Sequence, residues 1–322
     1  MIPNARPRSN RFLESYGYLL SLLAILLIWV VVMSILSRDF LTVRNIATSA
    51  RGMTENCIVA VGMTLVMISG GIDLSVGAVM ALVPCVVGLL YGAGWPFAVA
   101  LLAGLLLGLL VGAFNALAVV RARIQPIIIT LATMTAVRSV VYGITLGKSV
   151  SSFPAYFGRL GMSTIYGVPL SVVITLAFVL LGSLFLRRTI VGRFIYAVGG
   201  NEKAAVASGV NAGAVKWVVY LTCALLASIA GILFASRLAN ATPDAGISTP
   251  LDVISAVLLG GTSIVGGQGR ILGTVMGVIL MGSMINGFDL VGISSYWQTI
   301  FIGCVLILVV GFDSRRQARA AQ

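Results

Sequence analysis

Apolar residues run along this chain in long uninterrupted stretches separated by short polar connections. The first, Ser15 to Ser37, holds no charged residue over 23 positions. At about 1.5 Å per residue, that length crosses a hydrocarbon core about 30 Å thick. A secretory signal would carry an apolar region of only about 7–15 residues and a small-residue cleavage site, so a retained first helix is expected. Further runs fall near 50–69, 73–92, 95–120, 124–146, 168–186, 217–236, 252–268, 270–288 and 296–312. The pattern predicts an all-α integral membrane protein, a polytopic bundle of about ten transmembrane helices.

Two of these runs are interrupted. Gly70-Gly71 and Gly260-Gly261 break the apolar pattern, so irregular backbone is expected near 70–77 and 260–269. Such backbone is tolerated at membrane depth where it lines a cavity or is packed inside protein. Glycines also recur at helical spacing. Gly104, Gly108 and Gly112 stand four apart on the fourth segment, and Gly269, Gly273 and Gly277 repeat the spacing at the ninth. Small faces of this kind let helix backbones approach closely in lipid, and helix packing is their preferred reading.

Composition agrees with the pattern. Of 322 residues, 59% are hydrophobic and 9% charged, and the mean hydropathy is +1.08. A soluble domain carries roughly a quarter of its residues as charges. The formal net charge is +12, but the basic residues cluster between apolar runs and have no aromatic interleaving, which argues against nucleic acid. With ten spans, 14 of the 21 Lys and Arg residues fall on the side of the termini, which places both termini in the cytoplasm. Cys57, Cys85, Cys223 and Cys304 sit in apolar stretches without CxxC spacing, and there is no histidine, so Cys/His zinc sites are excluded.

The longest cytoplasmic connection is 187–216. It opens basic, passes Gly199-Gly200 and then reads as a short helix, with Asn201 as N-cap and Glu202 in the first turn. Ala204, Ala205, Ala207, Ser208 and Gly209 follow as a surface of small side chains. Such a helix suits a groove on a partner protein, or serves as an ordinary surface connection.

Four stretches together resemble the permease subunits of ribose-type ABC sugar importers (the ribose/xylose/galactose-type permease family). They are AVGMTLVMISGGIDLSVGAVMAL at 60–82, GRFIYAVGGNEKAAVASGVN at 192–211, AVLLGGTSIVGGQGRILGT at 256–274 and NGFDLVGISSYWQ at 286–298. The likeness runs from about 15 to 313. It departs from the family pattern at Pro250-Leu251-Asp252, where only the final Asp of a Glu-Leu-Asp-like pattern remains, and around Pro126-Ile127-Ile128 and Arg138-Ser139. The resemblance implies one permease domain over 15–313 between cytoplasmic tails at 1–14 and 314–322, in a bacterial inner membrane. It implies that Asn201, Glu202, Ala204, Ala205, Ser208 and Gly209 couple the chain to a cytoplasmic ABC ATPase. A periplasmic sugar-binding protein and a second copy or related permease chain complete the implied complex.

No GxxxxGK[ST] phosphate loop occurs, and GGQGR at 266–270 lacks its Lys-Ser/Thr end, so no cofactor is expected in this chain and ATP is left to the partner. Asp73 is the foremost pathway or gate candidate, because an ionised Asp at membrane depth costs at least about 2.5–3.5 kcal/mol. With Ser75 nearby, it reads equally as a cap on the following helix. Asn115, Thr130, Asn286 and Gln298 are uncharged polar groups that line a sugar path or bond neighbouring helices. An ion-coupled secondary transporter is the alternative class, poorly served by so few ionisable residues in the spans. Paired carboxylates and nucleophile–base sets are missing, which speaks against an enzyme.

Overall fold

In the computed structural model, residues 8–305, 307 and 311 are described, with side chains from Gly17 onward. The expected tail at 314–322 lies outside the described residues, and the tail at 1–14 lies partly outside them.

Among the described residues, seven helices are long and apolar enough to cross a membrane. They are α1 (Arg8–Leu36), α2 (Val43–Ile68), α4 (Phe97–Val120), α5 (Pro126–Thr145), α7 (Leu170–Arg188), α10 (Ala212–Leu238) and α12 (Ile271–Val291). The remaining helices are α3 (Val76–Gly92), α6 (Arg159–Met162), α8 (Ile190–Gly200), α9 (Glu202–Ala207) and α11 (Thr249–Leu259). A further helical stretch begins at 295. A two-residue hairpin, β1 (Thr164–Ile165) and β2 (Val168–Pro169), interrupts the connection between α6 and α7.

The core centres on α2, α3 and α10, and buried residues of α4, α11 and α12 join it. α10 packs on α2, α3 and α4; α3 also packs on α4 and α5, and α12 packs on α11 and α2. From Cys57 to Ile68 every residue of α2 is buried. The peripheral helices bury one face and present leucine and isoleucine on the other, as Leu102, Leu106 and Leu110 do on α4 and Leu176, Leu180 and Leu181 on α7. An apolar outer surface suits lipid as solvent, since a helix satisfies the backbone polar groups of its interior within itself.

Both interruptions end a helix in the same way. Gly70 has φ +84° after α2, and Gly71 N–H donates to Val66 O at 3.0 Å. Gly261 has φ +84° after α11, and Thr262 N–H donates to Val257 O at 3.2 Å. A left-handed residue followed by a bond reaching five residues back is the Schellman stop, which glycine permits without a Cβ clash. The expected segment 252–268 is therefore helical only to Leu259. α11 has 11 residues, and its length of about 17 Å is too short to cross a membrane alone. The expected segment 73–92 becomes helical only at Val76.

Candidate functional site

The α2–α3 break is a short non-helical turn carrying a buried carboxylate. Asp73 Oδ1 accepts from Ser75 N–H at 2.9 Å, Ser75 Oγ at 2.6 Å and Asn115 Nδ2 at 3.4 Å. Asn115 Nδ2 also donates to Ser75 Oγ at 2.9 Å, and Thr133 Oγ1 donates to Asn115 Oδ1 at 2.8 Å. Thr130 Oγ1 reaches the backbone of the same break at Ile72 O, 3.2 Å away, while also bonding Pro126 O in its own helix. Asp73, Ser75, Asn115 and Thr130 thus come together, and they tie α4 and α5 to the interruption. Asp73 bonds within the turn and leaves α3 without a side-chain cap. Its Oδ2 is buried without a hydrogen-bond partner. Thr133 completes the network. It lies three residues after Thr130, hence on the same helix face, which is the one signal that pointed to it.

Asn286 and Gln298 are placed elsewhere. Asn286 exchanges two amide hydrogen bonds with Asn45, of 2.9 and 3.0 Å, joining α12 to α2. Gln298 Nε2 donates to Asp289 Oδ1 at 2.7 Å and Ile293 O at 3.0 Å, closing the turn after α12. Asn286 thus serves a contact between two helices and Gln298 a local one, both apart from the Asp73 network.

The glycines meet neighbouring helices at close range. A Cβ on Gly104 would lie 2.6 Å from Val87 Cγ2, and one on Gly112 would lie 2.5 Å from Ala224 Cβ. Gly108 abuts Ser228, while Gly273 and Gly277 abut the α11 backbone at Gly260 and Ala256. Gly269 precedes α12 and is not on its face. Its carbonyl accepts from Tyr196 Oη of α8 at 2.8 Å.

At the α9 end, Asn201 Oδ1 accepts from Ala204 N–H at 3.0 Å and caps the helix. Glu202 pairs with Lys216 at 2.7 Å, fastening α9 to α10. Ala204, Ser208 and Gly209 are exposed, but Ala205 is buried against the chain. Gly209, at φ +86°, ends the helix, and Val210 N–H donates to Ala205 O at 3.0 Å.

α8 was not foreseen as a separate helix, and its end makes the closest contacts of this region. Gly199 abuts Ile68 O, and a Cβ on it would lie 2.6 Å from Gly267 N. Gly267 N–H in turn donates to Ile68 O at 2.8 Å. A Cβ on Gly266 would sit 2.9 Å from both Gly199 O and Gly70 N. Thus the end of α8 touches both helix interruptions directly, backbone against backbone. Beside this junction lies a cavity of about 900 Å³, bordered by Gly71, Arg123, Gln125, Asn201, Lys216 and Tyr220.

Two groups on the opposite half were missed. Glu55 of α2 pairs with Arg237 Nε of α10 at 2.9 Å. Arg138 of α5 donates Nη1 to Pro243 O at 2.5 Å and Ala245 O at 2.7 Å, and Nη2 to Gly77 O at 2.9 Å. Arg138 so clamps the 239–248 loop to the start of α3. A planar guanidinium presents several fixed donors and suits such carbonyl clusters.

The family model described as "Branched-chain amino acid transport system / permease component" matches residues 45–310. Among curated relatives, the ribose import permease protein RbsC of Escherichia coli K12 is 41% identical over 91% of this chain and 92% of its own length. RbsC of Bacillus subtilis 168 is 40% identical over the same shares, and the xylose transport system permease protein XylH of E. coli K12 is 33% identical over 87% of each chain. No solved structure matches the chain. The matched region takes in both interruptions, the Asp73 network and the α8–α9 segment, and the chain belongs to this family of transport-system permease components.

Proposed function

We propose that this chain is the permease subunit of an ATP-driven ABC importer for ribose or a related monosaccharide, in a bacterial inner membrane. The identity to ribose import permeases along nearly the whole chain carries the reading. The sequence has no nucleotide-binding loop, so hydrolysis is assigned to a separate cytoplasmic ATPase. A periplasmic binding protein delivers the sugar, and a second permease, identical or related, completes the membrane unit. Ten membrane segments result if α3, α11 and the stretch from 295 join the seven long helices, and the charge bias then puts both termini in the cytoplasm.

In this reading the exposed small residues of α9 seat against the ATPase. Movement of α9 is passed through Gly199 to the end of α2 and to the loop at Gly266 and Gly267, because their backbones are already in contact. The Asp73 network is assigned as the gate or hinge element: it holds the α2–α3 break to α4 and α5 through side-chain hydrogen bonds that can be exchanged. The test is reconstitution of the chain with the ATPase and sugar-binding protein of a ribose importer. ATP-dependent accumulation of ribose or xylose is expected; sugar uptake driven by an ion gradient without the ATPase would defeat the reading.

A further inference from the structure

The half of the chain away from α9 contains a second cavity, of about 410 Å³, between α2, the end of α10, the 239–248 loop and the first turn of α11. Its volume falls within the range of about 300–1,000 Å³ seen for small-molecule sites. Glu55, Asn56, Arg237, Ser248, Thr249 and Asp252 border it. An adjoining cavity of about 260 Å³ shares Asn56, Arg237 and Asp252 and extends to Asn286.

The polar groups here are incompletely satisfied. Glu55 is 3% exposed; its Oε1 is bonded to Arg237, while its Oε2 is buried with no hydrogen-bond partner. Asn56 Oδ1 receives only a long contact from Thr249 Oγ1, at 3.5 Å. That oxygen is closed off from the cavity itself, and the wall offers a ligand the Asn56 amide, the Ser248 and Thr249 hydroxyls and the Asp252 carboxylate as hydrogen-bonding groups. One guanidinium, Arg237, stands against three carboxylates, Glu55, Asp244 and Asp252, so acceptors are in excess and an anionic solute is disfavoured. Closely spaced carboxylate, amide and hydroxyl groups match vicinal hydroxyls, which both donate and accept.

We infer that this cavity is a contact site for a neutral, unphosphorylated monosaccharide on its way through the chain. The inference rests on the importer reading and deepens it. Arg138, by holding Pro243 and Ala245, fixes the loop that closes one wall of the site.

The test uses the complete importer with Asn56→Ala and Asp252→Asn, comparing maximal uptake of ribose and xylose. Loss of one charged or amide contact is expected to slow transport by about tenfold. The ribose-to-xylose ratio should also shift, which a merely structural defect would not cause. A second measurement covers variants that assemble poorly: Asn56→Cys on a Cys304→Ser background, the other cysteines being buried, labelled with a charged maleimide. Ribose with its binding protein should slow that labelling. Wild-type rates in both variants, equal loss for both sugars, or labelling indifferent to ribose would overturn the site. If the unmodified importer moves neither sugar, the importer reading fails, and this site fails with it.

Discussion

Whether a glycine in this bundle tolerates a methyl group is decided by what lies opposite it, and Gly112 and Gly143 should respond with opposite signs. Gly143, on α5, has no atom within 4 Å of an added Cβ. In a helix, alanine is favoured over glycine by about 1 kcal/mol, so Gly143→Ala should hold or raise stability. Gly112, on α4, would place its Cβ 2.5 Å from Ala224 Cβ and 3.0 Å from Tyr220 O. Carbon atoms rest about 3.5–4.0 Å apart, so α4 and α10 must separate by about 1 Å. Neither opposing atom can rotate away, because one is a Cβ and the other is backbone. Overpacking of that kind costs about 1–3 kcal/mol, which exceeds the propensity gain over most of its range. Thermal unfolding of the purified chain in mild detergent reads the difference. Gly112→Ala should melt below wild type and Gly143→Ala at or above it; equal shifts in the two would refute the close α4–α10 approach. Gly112→Leu should lose the folded bundle outright.

Three further outcomes follow from named contacts. Arg237→Met leaves the Glu55 carboxylate buried and unpaired, a loss of about 3–5 kcal/mol, and Glu55→Gln in the same chain should restore part of it, read from the same melting experiment. Asp73→Asn keeps an acceptor for Ser75 but removes the carboxylate, so uptake should collapse while insertion into the membrane stays at wild-type level; normal uptake would remove Asp73 from the gate. Ala204→Asp adds bulk and charge to the exposed face of α9, and the assembled importer should still hydrolyse ATP while sugar uptake fails.

The membrane segments were legible because lipid imposes a length and an apolar composition on every crossing helix, as the run from Ser15 to Ser37 shows. The two interruptions were legible for a related reason: paired glycines inside an apolar run have few other uses. Their geometry was not. Nothing local distinguishes a helix that resumes at Val76 from one that stops at Leu259 without resuming before Ile271. The Asp73 network was partly readable, since Ser75 is local and Asn115 and Thr130 are polar groups in apolar surroundings. Asn286 and Gln298 meet the same description yet serve other contacts, because polarity alone does not say which neighbour a side chain finds. Ala205 illustrates the limit within one short helix: Ala204, Ala205, Ala207, Ser208 and Gly209 are all small, but only the fold decides which of them turns inward.

Pairings across long sequence separations were invisible for a physical reason. Glu55 and Arg237 lie 182 positions apart, and each looks alone like a misplaced charge in a membrane segment. Together they are one neutralised unit, whose cost and position make sense only once α2 and α10 are side by side. The same holds for Gly70, Gly199 and Gly266, which belong to three separate segments and meet at one point. There, an added methyl group at Gly199 would collide with Ile68 O, so no side chain intervenes between the end of α8 and the two interruptions. Side chains can absorb a small displacement by changing rotamer, but touching backbones cannot. A shift of α8 must therefore move the end of α2 and the 260–270 loop, since their backbones already touch.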